Sequence, residues 1–271
     1  MLIAESEKTL TPPLKWAGGK RWQVPLLQRG LEGVKYKRLV EPFVGGLGVS
    51  LGLNPKHALL NDINPHLINL YQWLARGLIL DIEMENNETC YYRNRERFNQ
   101  NIIVGDIHTD EMAGLFYYLN RTCFNGLCRF NSKGRFNVPI GRYKSVNYTR
   151  DFTEYTQTFR RWEFTLGDFE SVEVLEGDLV YADPPHDVQF TTYFAGGFSW
   201  DDQEGLINWL SQYDVPTLIS NQSSSRIKEL YQDNGYSLIE IPAPRRISSS
   251  GDRTPALEVL AFRNIKKFEV I

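Results

Sequence analysis

Residues Asp178-Leu179-Val180-Tyr181-Ala182-Asp183-Pro184-Pro185-His186 run an apolar stretch straight into a carboxylate and two prolines. The apolar run has the continuous character of a strand buried on both faces, as in a parallel sheet covered by helices. Asp183 falls where that strand ends, and Pro184 and Pro185 cannot continue a ladder. The junction sets a fixed carboxylate and an outward-facing carbonyl at the carboxyl edge of a sheet, where open α/β folds bind ligands. His186 adds a planar ring beside them. Such a site can grip an exocyclic amino group and stack on the ring that bears it. Asp-Pro-Pro alone also suits a plain turn after a strand, so the rest of the chain has to separate the two.

Two more strand-to-turn units precede it. Arg38-Leu39-Val40 leads into Glu41-Pro42-Phe43-Val44-Gly45-Gly46-Leu47-Gly48, and 57–60 leads into Asn61-Asp62-Ile63-Asn64. A glycine-rich turn after one strand and an acid at the end of the next fit a loop that admits an adenosine-containing cofactor and a carboxylate for ribose hydroxyls. No Walker lysine and serine follow, which argues against phosphate transfer. Between Asp62 and Asp183 the rhythm changes. Leu67, Leu70, Trp73 and Leu74, and again Met112, Leu115, Phe116 and Leu119, have helical spacing. Two short alternating segments flank Asn131-Ser132-Lys133-Gly134, a hairpin signal. The α/β pattern resumes with a strand over 215–220 and a helix over 225–234. The expected fold is therefore α/β, with 1–65 and 150–271 forming one domain and 66–149 an insertion whose hairpin spans about 124–143.

Charge sharpens the reading of that insertion. Arg121, Arg129, Lys133, Arg135, Arg142, Lys144 and Arg150 fall within 121–150 without one Asp or Glu, so a chain of net charge −3 carries +7 here and −10 elsewhere. Phe124, Asn125, Phe130, Asn131, Phe136, Asn137 and Tyr143 are interleaved with them. A solvated basic face has this sign, but the mixture also suits a surface that meets phosphates and reaches base edges. No apolar run approaches the ~20 residues of a membrane span, and Met1 to Thr11 has no signal-peptide core. Three cysteines, an odd number, point to a reducing cytoplasm. Cys123 and Cys128 lack partners at zinc-site spacing, so no metal is expected.

Taken together the chain resembles the Dam-like DNA adenine-N6 methyltransferases of the D12 class. The resemblance runs through Leu14-Lys15-Trp16-Ala17-Gly18-Gly19-Lys20, the Glu41 to Gly46 turn, Asn61 to Asn64 and Tyr91-Tyr92. It is densest over Leu119-Asn120-Arg121, Phe124 to Arg129, Phe136-Asn137-Val138-Pro139 and Gly141-Arg142-Tyr143, and closes with Arg245-Arg246-Ile247-Ser248-Ser249. It implies a Rossmann-like methyltransferase fold with an inserted helical and β-hairpin DNA-recognition domain. The methyl donor it implies is S-adenosylmethionine, held by Trp16, Lys20, Phe43, Gly45, Gly46, Asp62, Asp168, Phe169 and Asp183. It further implies a monomer acting on double-stranded DNA containing GATC. Lys15 and Arg129 then read guanines, Leu127 and Pro139 meet a thymine methyl, and Phe124 wedges into the stack beside Asn125. Arg95, Arg121, Asn137, Arg142 and Tyr143 complete the DNA contacts. Restriction–modification and replication or repair are the settings such an activity serves.

On this reading Asp183 and the Pro184 carbonyl accept the two amino hydrogens of a flipped adenine and localise its lone pair, and the ring after the prolines stacks on the base. A cytosine-C5 mechanism needs a cysteine after a proline, and no cysteine here follows one. The family has tyrosine where this chain has His186. Three readings of that departure are open: the imidazole stacks as the phenol does, transfer is slower, or the chain is a GATC-binding regulator without turnover. An amide or RNA methyltransferase is a further alternative, against which the basic aromatic segment argues where the substrate is a small protein.

Overall fold

The computed structural model describes residues 10–186, 197–244, 256–265 and 268. The Arg245 to Ser249 motif lies outside them. Seven strands form one sheet: β1 Arg38–Glu41, β2 Ala58–Asp62, β3 Trp162–Leu166, β4 Asp178–Ala182, β5 Thr217–Gln222, β6 Ser237–Ala243 and β7 Ala256–Arg263. Their order is β3-β2-β1-β4-β5-β7-β6. All pairings from β3 across to β5 are parallel, whereas β7 runs antiparallel to both β5 and β6. This is a doubly wound, Rossmann-like sheet in which one reversed strand, β7, is inserted between β5 and the edge strand β6. The expected strand at 215–220 is β5, starting two residues later, and the expected helix at 225–234 is Ser225–Asp233.

Eight helices accompany these strands in the described residues: α1 Val24–Gly30, α2 Gly48–Leu53, α3 Pro65–Ala75, α4 Glu88–Val104, α5 Asp110–Thr122, α6 Thr153–Phe159, α7 Trp200–Ser211 and α8 Ser225–Asp233. The longer ones begin where the sequence supplies an acceptor for orphan amides. The Asn64 side chain accepts from the backbone of His66 and Leu67 with Pro65 at the first helical position, Thr109 accepts from Met112, and Ser199 and Asp202 form a capping box.

β4 is buried along its whole length, which explains its unbroken apolar composition. One core fills each side of the sheet. On the first side a single contiguous cluster takes in Leu39 and Leu60 from the sheet, Tyr71 from α3, Phe98 from α4, Phe116 from α5 and Phe136 from the basic segment. The helices between β2 and β3 thus share their core with the sheet. α3 mediates, because Tyr71 donates to the carbonyl of Gly45 at 2.6 Å and Gln72 to that of Phe164 at 3.1 Å.

The segment 124–143 doubles back as its turn residues indicate, but without a regular ladder. Isolated antiparallel bridges join Phe130 to Phe136 and Cys123 to Ile140. Backbone bonds join Asn131 to Arg135 and Asn137 to Arg129, and side chains of α4 take groups that face away from the opposing arm. Asn99 accepts from the Phe136 amide and donates to its carbonyl, while Tyr91 and Arg95 both donate to the carbonyl of Val138. Asn131 Oδ1 accepts from the amides of Lys133 and Arg135 and shapes the tip.

Phe159 closes α6 against the sheet, fully buried between Tyr155, Trp162 and Phe164 with ring centroids 5.2 to 5.3 Å away. Phe159→Ala should cost about 3–5 kcal/mol, the usual penalty for deleting a buried ring, read as a lower urea midpoint at unchanged slope.

Candidate active site

The carboxyl ends of β1, β2 and β4 open onto one cavity of about 430 Å³, within the size range of small-molecule sites. Trp16, Lys20, Phe43, Gly45, Gly46, Asp62, Asp168, Phe169 and Asp183 all line it, as do Pro184 and His186. Residues separated by more than 160 positions are thus brought to one wall.

Gly45 turns the chain at φ +46°. The glycine-rich turn lines the cavity, and its bare backbone also seats Trp16. A Cβ on Gly45 would lie 2.8 Å from Trp16 Nε1, and one on Gly46 would lie 2.5 Å from Trp16 Cβ. The indole therefore packs on the bare backbone and presents itself to the cavity. Asp62 braces the same turn, its carboxylate accepting from the amides of Gly45 and Asn64 at 3.0 Å each. Burial nevertheless pushes its carboxyl up to about 6. At one end Phe43, Phe169 and Phe198 form an aromatic wall, with centroid separations of 5.5 to 6.2 Å. Asp168 is exposed beside it and caps the short turn that carries Phe169.

Asp183 follows β4 directly. Its side chain is 22% exposed, and Oδ1 faces the Lys20 ammonium at 3.4 Å with no hydrogen bond of its own. Lys20 is buried. Its Nζ also lies 3.0 Å from Glu258 Oε1 and 3.2 Å from His186 Nε2. An ammonium only donates, so Nε2 accepts and the neutral imidazole carries its proton on Nδ1. Burial works against the Lys20 charge, but Asp183 and then Glu258 outweigh it and hold the lysine above its usual range. Burial pushes Asp183 up to about 7, Glu258 adding to the rise and Lys20 opposing it. His186 is pushed down to about 4 by burial and then by Lys20, so it is uncharged at neutral pH. Glu41 also lines the cavity, is almost wholly buried, accepts from Ser50 Oγ, and is pushed up to about 8 by burial.

The DNA-contact candidates gather around 120–143. Lys15 Nζ lies 3.6 Å over the Tyr143 ring and donates to the carbonyl of Arg121 at 2.8 Å. Asn120 ties the Lys15 backbone at both its amide and its carbonyl. Phe124 is 46% exposed, with its amide bonded to the carbonyl of Pro139, and Asn125 takes φ +54° in the same turn. Arg129 Nε donates to Asn137 Oδ1 at 2.8 Å. Arg95 covers the Tyr92 ring beside the Val138 carbonyl, Leu127 is half-buried, and Arg142 projects to solvent. Cys128 reaches the cavity wall next to Asn64, so this segment borders the site directly.

Glu258, Phe198 and a role for Glu41 were not legible in sequence. Glu258 stands 238 positions from Lys20 and inside an apolar strand, and only the topology joins them.

Fold and cavity together define a Rossmann-like methyltransferase that uses S-adenosylmethionine. The chain belongs to the D12 class N6 adenine-specific DNA methyltransferases, whose family model matches residues 16–247. It is 35% identical to the retron Ec67 DNA adenine methylase of Escherichia coli, over 92% of this chain and 90% of that protein. It is 34% identical to the type II methyltransferase M1.LlaDCHI of Lactococcus lactis subsp. cremoris and 35% to a DNA adenine methylase of Vibrio cholerae, each over 92% of this chain and 94% of the relative. Among the described residues no helix is long and apolar enough to cross a membrane, and no cluster of His, Cys, Asp and Glu suits a metal.

Glu41 yields a pH-dependent prediction. Between its ordinary value and about 8, the folded protein keeps a proton the unfolded chain has lost, so this group costs stability progressively as pH rises. Glu41→Gln should match the parent in melting temperature near pH 4.5 and exceed it increasingly toward pH 8, followed by scanning calorimetry.

Proposed function

We propose that this protein methylates N6 of adenine within GATC in double-stranded DNA, on a base flipped out of the helix. The observation that carries this reading is the position of Asp183 and Pro184 on the wall of the cavity that the glycine turn, Trp16 and Asp62 also line. S-adenosylmethionine, when bound, supplies a methyl group on positively charged sulfur. The cavity fits it, with an aromatic wall and the unmet acceptor Asp183 Oδ1. Trp16, Phe43, Gly45, Gly46, Asp62, Asp168 and Phe169 hold it, and Lys20 borders both it and Asp183.

The target nitrogen is a poor nucleophile because its lone pair is shared with the purine ring. Asp183 and the Pro184 carbonyl would accept hydrogen bonds from its two N–H groups and draw the pair out of conjugation. The nitrogen would take the methyl as the methyl's bond to sulfur breaks, without a covalent enzyme intermediate, and Asp183 would take the proton that the methylated nitrogen sheds. Rigid placement and preset charge supply most of the acceleration. Asp183 must be ionised to accept, and Lys20 opposes the protonation that burial favours.

Flipping costs a few kcal/mol. Phe124, apolar yet exposed, fills the space the base leaves. Arg129 reads guanine through a fork worth about 1–3 kcal/mol. Lys15 reads the other guanine, Leu127 and Pro139 contact a thymine methyl, and Arg95, Arg121, Asn125, Asn137, Arg142 and Tyr143 fix the backbone. The recognition unit is 66–149, set into a catalytic unit of 1–65 and 150–271, with α3 as their common wall. The protein acts as a monomer in the cytoplasm.

Labelled methyl transfer to GATC duplexes should exceed transfer to permuted duplexes, and Asp183→Ala should lower it by about 100-fold or more while cofactor binding persists. Equal transfer to permuted sites would remove the GATC assignment.

One observation favours a second reading, a GATC-binding protein with little turnover. His186 is engaged by Lys20 where the family's tyrosine stacks on the base. His186→Tyr should keep or raise turnover in the same assay, and a large fall would assign the histidine a role of its own.

A further inference from the structure

Lys20 has three protons and three acceptors, and they are not equivalent. Glu258 Oε1 lies at 3.0 Å, His186 Nε2 at 3.2 Å and Asp183 Oδ1 at 3.4 Å. Charge-assisted hydrogen bonds ordinarily close to about 2.7–2.9 Å, so the ammonium sits back from the reacting carboxylate and toward Glu258. Glu258 is itself fixed. Its Oε2 accepts from Gln23 Nε2 at 3.0 Å, the same nitrogen donates to Ser220 Oγ at 2.9 Å, and Gln23 Oε1 accepts from the Tyr181 hydroxyl at 3.1 Å. Glu258, Gln23 and Ser220 are all buried, and Glu258 is held in register by β7 opposite Gln222 of β5. A carboxylate so anchored cannot follow the lysine. The lysine must come to it.

We propose that Glu258 is a positioning residue for methyl transfer: it holds the Lys20 ammonium back from Asp183, near enough to support that carboxylate's charge yet leaving its acceptor atoms to the substrate amino group. This rests on the reading of Asp183 as the acceptor for adenine N6. Without Glu258 the freed ammonium closes on Asp183 and occupies the oxygen that the amino group needs. Glu258 touches neither DNA nor cofactor on this account and acts only through Lys20.

The test is a double-mutant cycle on the full chain, assayed by labelled methyl transfer to GATC duplex at saturating cofactor, with cofactor Kd and melting temperature measured alongside. Glu258→Gln, which keeps size and a weaker acceptor, should lower kcat about tenfold with both KM values within twofold. Glu258→Asp, which keeps the charge one methylene further away, should fall between it and the parent. In a Lys20→Met background Glu258→Gln should cost nothing more, the non-additivity expected of residues that act as one unit. Unchanged kcat in Glu258→Gln, a loss confined to KM, or a full tenfold loss persisting in the Lys20→Met background would each overturn the inference. A parent protein that methylates no adenine duplex would overturn both the inference and the functional reading, whereas an unaffected Glu258→Gln enzyme would leave that reading standing.

Discussion

A single buried ammonium orders the reacting end of this protein. Two carboxylates and an imidazole converge on Lys20, and each alone would be costly to bury. Together they form a cluster in which every partner is fixed by a different part of the fold: Asp183 by the end of a central strand, Glu258 by a reversed strand paired on both sides, His186 by two prolines. Removing the lysine would leave two acids close together without a counter-charge. The cluster therefore explains what opposes protonation of an acid that stands at the mouth of a ligand cavity largely withdrawn from water: the Lys20 ammonium works against the effect of burial.

The sheet edge was legible because it is written locally. The unbroken apolar run to Ala182, the carboxylate and the prolines that follow, and the glycines after β1 each express one short-range constraint. Asn131 and Gly134 indicate the reversal, and backbone bonds join Asn131 to Arg135 and Asn137 to Arg129, but the sequence does not show that Asn99, Tyr91 and Arg95 of a neighbouring helix take the groups of Phe136 and Val138 that face away from the other arm. Gly45 and Gly46 read as the wall of a ligand site and do line the cavity, but nothing local shows that their bare backbone also seats an indole from nearly thirty positions earlier.

What could not be read at all is long-range charge. Glu258 sits between Leu257 and Val259 in a strand whose composition signals only a buried ladder. Nothing near it hints at a lysine beyond the start of the first helix. Its importance arises from strand order, and strand order is a property of the whole chain. The basic segment lies between these extremes: its charge excess and aromatic content are local, but its attachment to the cavity through Cys128 and through Asn120 on the Lys15 backbone is not.

The reversed direction of β7 has a consequence for precision. In a purely parallel sheet every strand delivers its last residues to the ligand mouth, and those residues pass at once into loops. A strand of opposite polarity instead delivers its opening residues there, with neighbours hydrogen-bonded on both flanks and the remainder of its length anchored behind. A charge supplied in that way inherits the stiffness of the lattice it grows from, whatever the adjoining loops do when substrate arrives and departs.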